Sequence, residues 1–297
     1  MSNCRKFSLM RRPEVIALKY HSFDPLYYVN SLGKKRAWVS GNTSSFTLVE
    51  IGGNSDLKVL KTVQTAYPPT ALTGTSFGDL FYTDYENNSV NLYQTEADQV
   101  KVVFCEREWC PSGICYTSGG DVWVAIYNGP TKQFKIVCFS YSKGTLTQKR
   151  TIPRSGQSNP FRGDGDRTSL QVCVNRNGDV CVVDSNAKDL LVFNKAGDVK
   201  SKYSHRRTIH ITFDRSCIAT DSQSHILVSD PNEEGAYGKI HILDQNANHR
   251  FAILNCYLRN PLGISVNSDD RLWVVEEGSK TLKLIQYMQA KAPTVVH

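Results

Sequence analysis

The stretch Asn177-Gly178-Asp179-Val180-Cys181-Val182-Val183-Asp184-Ser185-Asn186 decides the architecture. Its Asn-Gly-Asp head is turn chemistry, because these residues tolerate positive φ or bond their own backbone. The apolar run behind it, Val180 to Val183, has the length and β-branching of a strand buried on both faces. Asp184-Ser185-Asn186 reverses the chain again. Leu191-Val192-Phe193 then supplies a further strand, and Lys195-Ala196-Gly197-Asp198 a further turn.

With Val180 as an anchor, the pattern recurs at Ala37, Leu80, Val122, Ile226 and Leu272, with successive gaps along the chain of 43, 42, 58, 46 and 46 residues. Two positions after the anchors stand Val39, Tyr82, Val124, Val182, Val228 and Val274. Eight before them stand Val29, Leu72, Ile114, Val172, Ile218 and Ile264. One position after each anchor the residues are Trp38, Phe81, Trp123, Cys181, Leu227 and Trp273, so these strands are apolar on both sides. A sheet of that kind must lie between other sheets. Turn residues separate a first from a second strand in every unit, and a third strand recurs twelve residues after the anchor at Val49, Leu92, Val192 and Leu284.

Repeats of this length, built as four-stranded meanders that bury both faces, are β-propeller blades. The expectation is an all-β, six-bladed propeller of four-stranded antiparallel blades. The sixth unit lacks an outer strand. Val15–Leu18, pairing beside Leu282–Tyr287, would complete it and remove the free edges of an open ring. Residues 13–290 are expected to form the propeller, with a basic tail at 1–12 and a short tail at 291–297.

Composition agrees. The 297 residues include 35 Lys and Arg against 28 Asp and Glu, for a charge of +7. With 40% hydrophobic and 21% charged residues the chain is neither disordered nor coiled coil. Apolar runs such as Leu190 to Phe193 fall far short of the ~20 residues that span a bilayer. Residues 1–12 carry Arg5, Lys6, Arg11 and Arg12, with no apolar stretch after them to act as an export signal, so a cytoplasmic location is expected. Nine cysteines without a CxxC pair read as reduced thiols, several of them small buried hydrophobes.

Pro111-Ser112-Gly113-Ile114 and Pro261-Leu262-Gly263-Ile264 open the third and sixth units, and Pro69 occupies the same place in the second. Together with 177–197, with Asp221-Ser222-Gln223-Ser224-His225-Ile226-Leu227-Val228-Ser229-Asp230, and with Ile240-His241-Ile242-Leu243-Asp244, these resemble NHL repeats. The ending Leu284-Ile285-Gln286-Tyr287-Met288 adds to the likeness. The resemblance is to the C-terminal propellers of tripartite-motif NHL proteins; it is specific over about 165–288 and weaker, though in register, from 25 to 150. It implies a recognition module of the ubiquitin pathway, which in that family binds partner proteins and in some members RNA. No RING finger or B-box array precedes it here.

Topology sorts the loops. The second-to-third loops and the inter-blade connections share one face, called upper below; the other two turn sets share the lower face. Four residues after each anchor, on the upper face, stand Gly41, Asp84, Ile126, Asp184, Asp230 and Glu276, with Glu86, Asp189, Glu233, Glu234 and Glu277 close by. The carboxylates either cap their own turns or form an acidic middle of a binding face. The connections carry Arg107, Arg154, Arg162, Arg167, Arg206, Arg207, Arg215 and Arg259, whose guanidinium forks suit carboxylate and phosphate alike. Tyr127, Phe161, Tyr203 and Tyr237 lie nearby as rings on which a base or an apolar side chain would stack. The candidate binding residues are thus Tyr127, Phe161, Arg162, Tyr203, Arg206, Arg207, Tyr237 and Arg259.

The reading is a platform that binds a macromolecule, protein first and RNA second, without a cofactor, a metal or a membrane. Interleaved acids such as Glu106, Glu108, Asp164, Asp166 and Asp214 weaken the case for RNA, which needs an uninterrupted positive field. An enzyme is the remaining alternative, since six-bladed propellers also host metal-dependent hydrolases and lactonases. The positions eight before the anchors are all apolar, and His205 and His210 are spaced for a metal only in a suitable loop. No GxSxG elbow is present. Leu80-Phe81-Tyr82-Thr83-Asp84 also resembles YWTD receptor propellers, which are extracellular and followed by disulfide-rich modules.

Overall fold

The computed structural model describes residues 7–21, 24–53, 56–161, 170–204, 211–213, 215–231 and 237–290. Strand β1 (Phe7–His21) comes first. Blade one is β2 (Leu26–Leu32), β3 (Arg36–Gly41), β4 (Ser45–Ile51) and β5 (Leu57–Gln64). Blade two is β6 (Ala71–Gly74), β7 (Leu80–Asp84), β8 (Ser89–Gln94) and β9 (Gln99–Cys105). Blade three is β10 (Trp109–Tyr116), β11 (Asp121–Asn128), β12 (Gln133–Ser142) and β13 (Thr145–Ile152). Blade four is β14 (Leu170–Val174), β15 (Val180–Asp184), β16 (Asp189–Phe193) and β17 (Val199–Ser204). Blade five is β18 (Ile218–Thr220), β19 (Ile226–Asp230), β20 (Gly238–Leu243) and β21 (His249–Leu258). Blade six is β22 (Pro261–Val266), β23 (Arg271–Glu276) and β24 (Thr281–Ala290), with β1 beside β24 as its outer strand.

Every sheet is a four-stranded antiparallel meander, so the six expected blades are present. Closure follows the expected pairing, with Val15 opposite Ile285 and Leu18 opposite Lys283. The strand nevertheless starts at Phe7, opposite Ala290, so the boundary drawn between tail and propeller at 12 and 13 falls inside it. Among the described residues there is no helix, and hence none long and apolar enough to cross a membrane.

The two-sided second strands explain the ring. Each inter-blade interface is one apolar cluster, to which the earlier blade gives its residue after the anchor and the next blade gives its anchor and the residue two beyond. Trp38 packs with Leu80 and Tyr82, and Phe81 with Val122 and Val124. Trp123 meets Val180 and Val182, and Cys181 meets Ile226 and Val228. Leu227 meets Leu272 and Val274, and Trp273 closes the circle against Ala37 and Val39. Burying each large side chain contributes roughly 1.5–3 kcal/mol, so the interfaces hold the toroid together.

The first strands stand around a central channel, a cavity of about 260 Å³. Each is an edge strand whose outward N–H and C=O groups need partners. In blade two, Thr75 N donates back to Asp79 O at 2.7 Å, so the preceding amide, Gly74 N, points away from β7. Asn30 Oδ1, from blade one, accepts it at 2.7 Å. Thr73 Oγ1 accepts Tyr116 N at 2.9 Å, and Ser265 Oγ accepts Ser31 N at 3.0 Å. The Cys115 and Cys173 sulfurs take the Val174 and Thr220 amides in the same way. A side chain seven before the anchor thus clasps the amide six before the anchor of the next blade. In blade five the position is Ala219, which has no acceptor.

The two Pro-x-Gly-Ile starts also acquire a cause. The register slips between Pro111 and Ile114 and between Pro261 and Ile264, which marks a bulge. A Cβ at Gly113 would lie 2.7 Å from Leu170 O, and one at Gly263 would lie 2.5 Å from Tyr27 O. Glycine there lets neighbouring first strands approach backbone to backbone.

Candidate interaction face

The four carboxylates that stand four residues after the anchors are buried acceptors of loop groups. Asp84 accepts Asn87 N at 3.0 Å, and Asp184 accepts Ala187 N at 2.9 Å. Asp230 accepts both the amide and the hydroxyl of Thr212 and faces His241 Nε2 at 3.1 Å. Although burial works against it, these bonds hold its carboxyl below the usual carboxylate range. Glu276 accepts Arg259 N at 2.7 Å, Lys283 Nζ at 3.0 Å and the Ser279 hydroxyl at 2.8 Å. All four carboxylates are buried. The acidic middle therefore does not reach the surface through them.

The candidate binding residues separate into three groups. Tyr127, Phe161 and Tyr203 are core residues, packed on Phe134, Phe193 and Phe213 with ring centroids 4.6, 5.8 and 6.3 Å apart. Their rings are closed to an incoming base, a correction to the sequence reading. The physical reason is that Tyr127 and Phe161 belong to the apolar cluster between blades three and four, and Tyr203 to that between blades four and five. Tyr237 and Arg259 are exposed as expected. Arg162, Arg206 and Arg207 lie outside the described residues, as do Arg167, His205, His210, Glu233, Glu234, Asp164, Asp166 and Asp214.

Tyr237 has a companion the sequence did not announce. Between the pairs Gly238–Leu258 and Ile240–Ile253, strand β21 spends four residues where β20 spends one. The bulge turns Leu254 and Tyr257 outward, 60% and 65% exposed, while Cys256 points in. Tyr257 takes φ +49°, and its ring meets that of Tyr237 edge-on at 5.2 Å. A bulky residue in the left-handed region is costly, and such strain gathers at working surfaces.

The mouth of the channel on the same face is a second hollow, of about 340 Å³. Tyr27, Pro68, Pro69 and Leu262 give it apolar walls, while Asn42, Gln171, Ser185 and Ser216 add neutral polar groups. The Ser216 hydroxyl is buried and has no hydrogen-bond partner among the described residues, so it is a polar group open to pairing at the mouth. Among the described residues Arg215 is the one cation on the lining. Its guanidinium is held by Glu277 through two bonds of 2.9 and 3.1 Å and lies 5.4 Å from the centre of the Tyr27 ring. Among the described residues no carboxylate or imidazole lines the mouth or the channel. Burial pushes the Cys217 thiol, which touches both, up to about 12.

Elsewhere several lysines are paired with carboxylates. Lys61 pairs with Asp98 at 2.7 Å, Lys149 with Asp121 at 2.9 Å, Lys200 with Asp179 at 2.7 Å and Lys202 with Asp189 at 2.6 Å. Arg154 is not aimed at the upper face; it pairs with Asp198 in the turn between β16 and β17.

No protein-family model and no curated protein sequence matches the chain. Solved structures resemble it in shape. A virginiamycin B lyase from Staphylococcus aureus is 14% identical with a TM-score of 0.55, over 95% of this chain and 99% of that one. The protein U3-55K is 10% identical with a TM-score of 0.60, over 92% and 99%. A protein of unknown function from Bacteroides caccae is 10% identical with a TM-score of 0.56, over 81% and 82%. Likeness at these identities speaks for the fold alone. What the chain shares with them is the propeller fold, and its own sheets number six.

Proposed function

We propose that the protein is a non-catalytic docking platform whose upper face binds another protein, in the manner of the substrate-recruiting propellers of tripartite-motif NHL ubiquitin ligases. The observation that carries this reading is the hollow at the channel mouth. Among the described residues its walls are apolar, its polar groups are neutral, and its single cation is already balanced by Glu277. Such a lining suits a protein side chain that brings an apolar body and one hydrogen-bonding group. It does not suit a phosphodiester, which needs uncompensated positive charge. The exposed Tyr237–Tyr257 pair offers a second anchor on the same face, since exposed aromatic rings dominate binding energy at protein interfaces.

Proximity labelling and pull-down with wild type, Asn42→Arg and Tyr237→Ala test the reading. Asn42 is exposed at the mouth, so a long cation there blocks the hollow without touching the core. Partners captured by wild type and lost with these variants are expected. A partner set indifferent to both changes sinks the proposal. Steeply salt-dependent binding to a random single-stranded RNA pool, lowered by Arg206→Ala with Arg207→Ala, replaces it with the RNA reading.

A further inference from the structure

The clasp around the channel has one irregularity that brings chemistry with it. At the clasp position blades one, two and six use an amide or hydroxyl oxygen, whereas blades three and four both use a thiol. Cys115 and Cys173 hold equivalent places on adjacent first strands, β10 and β14, and both line the channel. Because each clasp reaches over to the following blade, Cys115 extends toward Val174 and meets the Cys173 thiol, with which it is hydrogen-bonded. Cys173 Sγ extends in turn toward blade five and lies 3.5 Å from Thr220 Oγ1. Two thiols from different blades therefore touch in a wall that opens on a solvent-sized passage.

We propose that Cys115 and Cys173 are a modification site: a dithiol that a small peroxide entering the channel converts to a disulfide, stapling blade three to blade four. The bond exchanges a weak sulfur hydrogen bond for a covalent link at the interface whose anchors, 122 and 180, show the widest gap, 58 residues, between consecutive blades along the chain.

The two thiols are not equivalent. Hydrogen bonds from Cys115, from the Thr220 hydroxyl and from the Thr220 and Val174 backbone lower the Cys173 thiol, while the same contact and burial raise that of Cys115. Cys173 is the nucleophile. Its thiolate attacks one peroxide oxygen, the O–O bond breaks, and the departing hydroxide takes up the thiol's proton as water, leaving a sulfenic acid on Cys173. The Cys115 sulfur then attacks the Cys173 sulfur; the S–O bond breaks, and hydroxide leaves with the Cys115 proton as a second water. Two thiols are oxidised and one peroxide is reduced. The remaining described thiols are less suited. Burial raises Cys181, Cys138, Cys256 and Cys217, and Cys110 donates to Asn88 Oδ1 at 2.8 Å.

The test uses reduced, purified full-length protein exposed to a few equivalents of hydrogen peroxide, alkylated with iodoacetamide and mapped by mass spectrometry without reduction. A linked Cys115–Cys173 peptide pair is expected, with two fewer alkylated thiols, reversal by dithiothreitol, and loss of the link when the protein is first unfolded in urea. Cys115→Ser should leave a Cys173 sulfenic acid that dimedone traps, and Cys173→Ser should leave Cys115 fully alkylated. The wild-type map decides the matter even if a variant folds poorly. Cys105 is exposed and serves as the internal reference. Both channel thiols remaining alkylatable at a dose that oxidises Cys105 overturns the proposal. So does a link from Cys173 to Cys181, its cross-strand neighbour.

Discussion

The clasp makes a matched pair of expectations, one loss and one gain. Thr73→Val keeps the side-chain shape and removes the acceptor of Tyr116 N, a bond of 2.9 Å. A net hydrogen bond is worth about 0.5–1.5 kcal/mol, and an amide stranded in a dry site costs about 1–3 kcal/mol. The channel is polar and, at about 260 Å³, roomy enough for water, so the released amide finds a solvent partner. The cost is therefore near 1 kcal/mol rather than 3. Ala219→Ser is the reverse change: it places a hydroxyl where blade five has no acceptor, within reach of the Val266 amide, and should stabilise by about 0.5–1 kcal/mol. With a urea m-value of about 3 kcal/mol/M, these are midpoint shifts of about 0.3 M down and 0.2–0.3 M up. Equilibrium urea unfolding followed by tryptophan fluorescence resolves them. Identical midpoints for wild type and both variants would refute the idea that these side chains secure the first strands.

Three further outcomes follow from the same geometry. Gly263→Ala should destabilise by about 1–3 kcal/mol, because its Cβ meets Tyr27 O at 2.5 Å and backbone cannot step aside; thermal unfolding indistinguishable from wild type would contradict this. His249, whose Nε2 lies 3.1 Å from His241 Nδ1 with Asp230 beyond, titrates below its usual 6.5 through burial and the neighbouring imidazole. Since the unfolded chain then binds the proton more readily, stability held above pH 6.5 is lost as pH falls through the folded value, and His249→Gln should flatten urea midpoints between pH 7.5 and 5.5. Tyr257→Ala should leave the melting temperature within about 1 °C of wild type, or raise it by relieving the positive φ, while weakening partner capture; a large loss of stability would make Tyr257 structural.

The repeat was legible because it rests on the hydrophobic effect. Anchors such as Val122 and Leu272, the residue after each, and the outer strand at Val15–Leu18 all announce themselves through apolarity at a fixed spacing. The clasp was not legible, since Asn30, Thr73, Cys115, Cys173 and Ser265 share no property but a small polar atom, and its meaning lies in the next blade. The site was read less well than the fold. Tyr127 and Tyr203 sit near strand ends and Phe161 in a connection, where sequence promises exposure, yet their rings are buried in the clusters between blades. Asp84 and Asp184 followed the turn-cap option, whereas Asp230 and Glu276 take the amides of preceding connections, Thr212 and Arg259, because a buried loop amide is a stronger demand than a surface charge. Ser216 and the Tyr257 bulge had no signal, as an unpaired hydroxyl and a slipped register exist only in three dimensions.

Trp273 packing on Ala37 means that no blade is first or last. In a linear solenoid a unit is added or dropped at an end, with one contact made or lost. Here every unit is a keystone: removing any one severs two seams and leaves a wedge-shaped gap that the others must widen to fill. Change in such a molecule is least disruptive in its loops, which lie outside the seams that close the circle.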